Sequence, residues 1–155
     1  MLFRSVEKES SKVAVVGCFF PPTDFLNYGK EGEVALGDGT LKGYWAPFDF
    51  HEVSKGKGGF APITDPEKRK AIGKQISPVY HASKDSAPSL IIHGDADKLV
   101  PVAQSKELNE ALKAAGVESE LIVMRGAGHG PGVGTPTNIQ KMGAFFDKHL
   151  KPAKK

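Results

Sequence analysis

An α/β fold, a mostly parallel sheet flanked by helices, is predicted by three features of this 155-residue chain. Strand-like and helix-like patterns alternate through its second half, the signature of helices packed on a parallel sheet. Two apolar runs, Lys12 to Phe20 and Ser89 to His93, lack the polar-out alternation of a half-exposed strand and suit strands covered on both faces. The segments after the predicted strands carry Gly, Pro, Asp and His, the residue types found where open α/β sheets bind ligands.

Each element has its own justification. "KVAVVGCFF", Lys12 to Phe20, is valine-rich and apolar on both faces, and "PPTD" stops it. Gly29 to Gly59 is glycine-rich and weakly periodic; residues 30–64 are expected to form a lid-like excursion carrying short helices. In "DPEKRKAIGKQ", Asp65 is the expected N-cap and Pro66 the first helical residue. Ser89 to His93 reads as a strand and Pro101 to Ala115 as a helix. Leu108, Ala111, Leu112 and Ala115 fall at i, i+3, i+4 and i+7, and Gly116 supplies the stop. Glu118 to Met124 is the next strand, and "RGAGHGPGVGTP" a glycine-rich loop. The last helix starts at Thr135-Pro136, with Ile139, Met142, Phe146 and Leu150 on its expected buried face.

Composition narrows the function classes. With 39% hydrophobic and 25% charged residues the chain is long enough for one domain with a real core. No run approaches the roughly 18 apolar residues of a membrane-spanning helix. The net charge of +3 comes from scattered lysines, and "KPAKK" reads as a solvated tail, so no nucleic-acid partner is expected. The first residues do not form a signal peptide. One cysteine, Cys18 within an apolar run, excludes an internal disulfide and reads as a buried inert thiol.

Candidate chemistry lies at two strand ends. Asp95 and Asp97 follow the Ser89 to His93 strand, and His129 follows the next one among Gly126, Gly128 and Gly130. Neighbouring parallel strands lie about 4.8 Å apart. A carboxylate on one loop is therefore in reach of a histidine on the next, the acid-base half of a serine hydrolase. The rival reading of Asp95 and Asp97 as calcium or magnesium ligands lacks a further acid at a loop-forming interval, and no metal or cofactor is expected. His129 as an ordinary loop histidine is the other alternative. His93 ends a strand and is expected to be structural. His51, His81 and His149 have no partner in sequence; His149 and Lys148 suit the negative end of the last helix. "GKGG" at Gly56 to Gly59 lacks the frame of a phosphate loop. Tyr44, Trp45, Phe48 and Phe50 either line an acyl pocket or form the core of the excursion. Ser77, Ser83, Ser86 and Ser105 sit in no nucleophile-bearing turn and read as caps or turn residues.

"HGDADKLVP", followed 32 residues after its second acid by "GAGHG", resembles the α/β-hydrolase superfamily, in particular bacterial esterases and prolyl-oligopeptidase-type hydrolases. "VVGCFFPPTDFLNYG" and "ISPVYHASKDSAPSLIIHG" are similar to that group's segments between nucleophile and acid. The resemblance covers roughly residues 12–150 and implies the C-terminal half of the fold. It implies Asp97 as the acid of a catalytic triad, His129 as its general base, Asp95 as a turn cap, and a small ester as substrate.

The family's nucleophile sits in G-x-S-x-G, on a tight strand-to-helix turn upstream of the other two members. That motif is absent from these 155 residues. Only 11 residues precede Lys12, fewer than the roughly 12 that the following helix alone needs. The expectation is a partial α/β-hydrolase fold lacking the N-terminal strands and nucleophile elbow, with weak or no ester hydrolysis. Residues 1–11, opening "MLFRS", are expected to be a non-native or frayed N-terminus, as at the broken end of an environmental gene fragment. The alternative of another class is a non-catalytic fragment that forms a homo-oligomer through Val13 to Phe20, an apolar edge once the preceding strands are missing.

Overall fold

The structure, a computed structural model, describes residues 12–37, 39–41, 43, 50–54, 56 and 58–151. Its strands and α-helices follow in the order β1 (Val16–Phe19), β2 (His51–Val53), β3 (Phe60–Pro62), α1 (Pro66–Ile76), β4 (Ser89–Gly94), α2 (Val102–Ala114), β5 (Ser119–Met124) and α3 (Pro136–Leu150). β1, β4 and β5 form a parallel sheet in the order β1-β4-β5. β4 is central, and all six of its residues are buried. Its alternating side chains serve two layers. Leu90 and Ile92 join Met142 and Phe145 of α3 in one core, while His93 meets Ser105 of α2 on the other face.

β1 is shorter than the predicted Lys12 to Phe20 run. It has four residues, pairs with β4 alone among the described residues, and Val13 ahead of it is 56% exposed. Its apolar character answers mainly to α3. Gly17 approaches that helix so closely that a Cβ there would stand 2.1 Å from Met142 Sδ.

Helix ends follow their local chemistry. Asp65 caps α1 by accepting from the Glu67 and Lys68 amides, with Pro66 at the first helical position. Thr135 Oγ1 accepts from the Asn138 amide at 3.2 Å to open α3. α2 ends where Gly116 adopts φ +79° and the Val117 amide returns to the Leu112 carbonyl at 3.0 Å.

Both long helices bury a different face from the one apolar spacing predicts. In α2 the buried residues are Gln104, Ser105, Asn109 and Leu112; of the expected stripe only Leu112 is among them. The interior there is polar and hydrogen-bonded, which hydrophobic periodicity does not register. In α3 the buried residues are Asn138, Met142 and Phe145, whereas Ile139 and Leu150 are 53% and 57% exposed. Asn138 Nδ2 donates to the Val133 carbonyl at 2.7 Å, which turns that side of the helix inward.

The excursion carries an antiparallel ribbon, β2 with β3, pairing His51 with Pro62 and Val53 with Phe60, where short helices are expected from its sequence. Phe25, Tyr28, Leu36, Leu41 and Val100 form a second core, against which Phe50 packs. No helix among the described residues is long and apolar enough to cross a membrane.

Candidate active site

Asp97 stands where β4 gives way to the loop leading into α2. Its side chain is fully buried, and Oδ1 accepts from the amides of Leu99 and Val100, both at 2.9 Å. This Asx-type turn folds the loop back over its own carboxylate. Oδ2 accepts from His129 Nδ1 at 2.8 Å and lies 3.4 Å from His93 Nε2. Burial pushes the Asp97 carboxyl up. The hydrogen bonds from the Val100 amide, His129 and the Leu99 amide outweigh it, so the group lies below its ordinary 3.8. An ionised carboxylate only accepts, so His129 carries its proton on Nδ1 and presents Nε2 as the basic nitrogen of the neutral ring.

His93 supports this arrangement from within the sheet. Its Nε2 donates to the Val100 carbonyl at 2.8 Å, and its Nδ1 is 2.6 Å from Ser105 Oγ. The ring thereby holds the same loop that Asp97 holds, and its structural character matches the sequence reading.

Two strand mouths are tied together to bring Asp97 and His129 into contact. Asp95 Oδ1 accepts from the Gly126 amide at 2.5 Å, and the Ala96 amide donates to the Ala127 carbonyl at 3.0 Å. Gly126 has φ +73°, a conformation open to glycine. Gly94 matters for a different reason: a Cβ there would lie 2.1 Å from the Ala127 carbonyl oxygen. Its role escapes the motif, although an obligatory close approach is what a glycine at a strand end signals.

His129 opens onto an apolar cleft of about 340 Å³, lined also by Phe19, Phe20, Pro21, Pro22, Tyr28, Leu41, Leu99 and Val100. The cleft runs along the seam of the two cores. Phe50 is not among its lining residues; it packs against the excursion core. Tyr44, Trp45 and Phe48 lie outside the described residues. Sequence reasoning missed Phe19 and Phe20, although Phe19 ends β1 and Phe20 follows it as Asp97 follows β4.

The four serines named from the sequence are hydrogen-bonded elsewhere. Ser77 Oγ accepts from the Phe25 amide and donates to the Gly73 carbonyl. Ser83 and Ser86 hydrogen-bond within one turn, and Ser105 serves His93. Burial pushes the Cys18 thiol up to about 11, so it stays protonated near neutral pH. Among the described residues no group of His, Cys, Asp and Glu is arranged to hold a metal ion. His149 and Lys148 both face Glu118, at 3.6 and 2.5 Å.

Comparison with known proteins places the chain in a family. A truncated form of a carbohydrate esterase from gut microbiota superposes with a TM-score of 0.63 at 28% identity, covering 92% of this chain and 44% of that one. A bifunctional GH43-CE protein of Bacteroides eggerthii superposes with a TM-score of 0.69 at 26% identity, over 92% and 16%. The uncharacterized peptidase YuxL of Bacillus subtilis is 33% identical over 79 residues, 48% of this chain and 12% of YuxL. The non-reducing polyketide synthase mapC' of Penicillium brevicompactum is 43% identical over 56 residues, 35% of this chain and 3% of the synthase. The chain thus spans a small part of these curated relatives. Residues 2–112 match the BD-FAE family, and the chain belongs to that α/β-hydrolase-type family.

Proposed function

We propose that this chain carries the acid and the general base of a serine carboxylesterase, Asp97 and His129, without the attacking serine among its 155 residues. The observation that supports this reading is the 2.8 Å contact from His129 Nδ1 to the buried Asp97 carboxylate, beside an apolar cleft that suits a small acyl group. In the full reaction a serine oxygen bonds to the acyl carbon as Nε2 takes its proton. The imidazolium then protonates the leaving alcohol, and water repeats the sequence to free the acid and the serine. Asp97 holds the ring in the Nδ1–H tautomer and offsets the charge that develops on it. A general base alone supplies about 10²–10⁴-fold, so these residues by themselves are expected to turn over esters weakly or not at all. The test is hydrolysis of p-nitrophenyl acetate with His129→Ala as control. Robust turnover abolished by that substitution would mean that a nucleophile is supplied after all, within this chain or by a second copy.

A second reading rests on β1. It pairs with β4 on one side only among the described residues, and Val13 is 56% exposed. Such an edge recruits another strand, which supports a non-catalytic homo-oligomer joined there. Light scattering at micromolar concentration is expected to give a dimer or larger, and Val13→Lys to shift it toward monomer. A clean monomer before substitution removes this reading.

A further inference from the structure

Phe20 is the described non-glycine residue with a positive φ, +37°. Bulky residues avoid that region, and such outliers persist where the surroundings over-determine them. The Phe20 amide donates to the Ile92 carbonyl at 2.9 Å, extending the β1–β4 ladder by one residue. Pro21 next in sequence favours extended backbone of negative φ at residue 20, so the positive φ runs against local preference as well. The conformation lays the phenyl ring against His129, with centroids 4.1 Å apart and planes tilted by 50°. The same ring meets His93 edge-on at 6.5 Å. A residue serving only as apolar lining has no need of this backbone; Phe19, Leu99 and Val100 line the cleft without it.

We propose that Phe20 is a positioning residue for His129, its left-handed backbone maintained to press the ring on the imidazole. Asp97 fixes one nitrogen, and Phe20 fixes the tilt of the ring about that hydrogen bond. Together they hold Nε2 toward the cleft and give an imidazolium an aromatic face. The proposal rests on the reading of His129 as the base, but its test needs neither substrate nor nucleophile.

The test is the tautomer ratio of His129, read from long-range proton–nitrogen spectra of the histidine-labelled chain at a pH where the ring is uncharged. In the native protein an Nδ1–H to Nε2–H ratio on the order of ten or more is expected from one hydrogen bond to a carboxylate. Phe20→Gly, which suits the left-handed backbone and removes the ring, is expected to lower the ratio by about threefold or more. Phe20→Leu, which keeps bulk without the aromatic face, is expected to lower it less and serves as the reading if the glycine variant does not fold. A change smaller than about twofold in the folded variants overturns the proposal. So does a fall accompanied by displaced Gly126 and Ala127 amide signals, which marks general loosening of the mouth. A native ratio near one fails the reading of His129 as the base; a native ratio as expected that does not change in the Phe20 variants fails only this proposal.

Discussion

α2 and α3 flank the same sheet, and they hold it by different means. α3 presents Met142 and Phe145 to Leu90 and Ile92, a contact made of volume. α2 presents Gln104, Ser105 and Asn109, a contact made of hydrogen bonds. Gln104 Oε1 accepts from the Thr23 and Asp24 amides at 2.8 and 2.7 Å, and its Nε2 donates to the Asn27 and Tyr28 carbonyls at 3.1 and 2.8 Å. Ser105 engages His93, and Asn109 accepts from Ser119 at 2.9 Å. Volume tolerates small displacements, whereas saturated hydrogen bonds specify direction. The directional side is the one that holds the cleft: Tyr28 lines it, and His93 lies beneath Asp97.

The contrast is sharpest at Gln104. Gln104→Leu strands two buried amides, the buried Tyr28 carbonyl and the half-buried Asn27 carbonyl and is expected to cost on the order of 5 kcal/mol, enough to unfold many domains of this size. Gln104→Glu, equal in shape, is expected to remain strongly destabilising, because a carboxylate cannot donate to the Asn27 and Tyr28 carbonyls. On the other layer, Met142→Ala is expected to cost about 3 kcal/mol and Met142→Leu under about 1.5 kcal/mol. Urea unfolding of the four variants measures this. Equal tolerance of the two shape-conserving substitutions would break the comparison.

A smaller effect is expected from pH. The Asp97 carboxyl lies below its ordinary 3.8 in the folded chain, so on acidification the unfolded chain takes up the proton first. The stabilisation from Asp97 is therefore complete above the ordinary carboxylate range and fades as pH falls through the lowered folded value. Asp97→Asn is expected to flatten that part of the acid-unfolding curve, measured as the urea midpoint from neutral to strongly acidic pH. An unchanged slope would place the sensitivity on other carboxylates. Least of all, Glu118→Gln, which breaks an exposed contact with Lys148, is expected to leave the melting temperature where it is.

The parts legible in the sequence are those governed by local rules. β4, α2, β5 and α3 fall within about a residue of their predicted limits, because apolar runs, Pro101, Gly116 and Pro136 mark them. That Asp97 and His129 meet follows from strand-end placement in a parallel sheet. The buried face of α2 is illegible to apolar periodicity, since Gln104 and Asn109 read as solvent-facing until their partners 81 and 10 residues away are known. The cleft lining is scattered across five segments, from Phe19 to His129, that only the fold assembles. The backbone of Phe20 has no signal in composition at all.

Gly94 and the tie between Asp95 and Gly126 make the two strand mouths a single piece: a close main-chain approach and one carboxylate-to-amide bond fix the spacing of Asp97 and His129. Tyr28 and Leu41, just ahead of the excursion and within it, line the cleft from a different core, the one built on Phe25, Leu36 and Val100. The space beside His129 can therefore be widened or narrowed from that side. The shape of the cleft can thus change on one side while the Asp97–His129 side stays put.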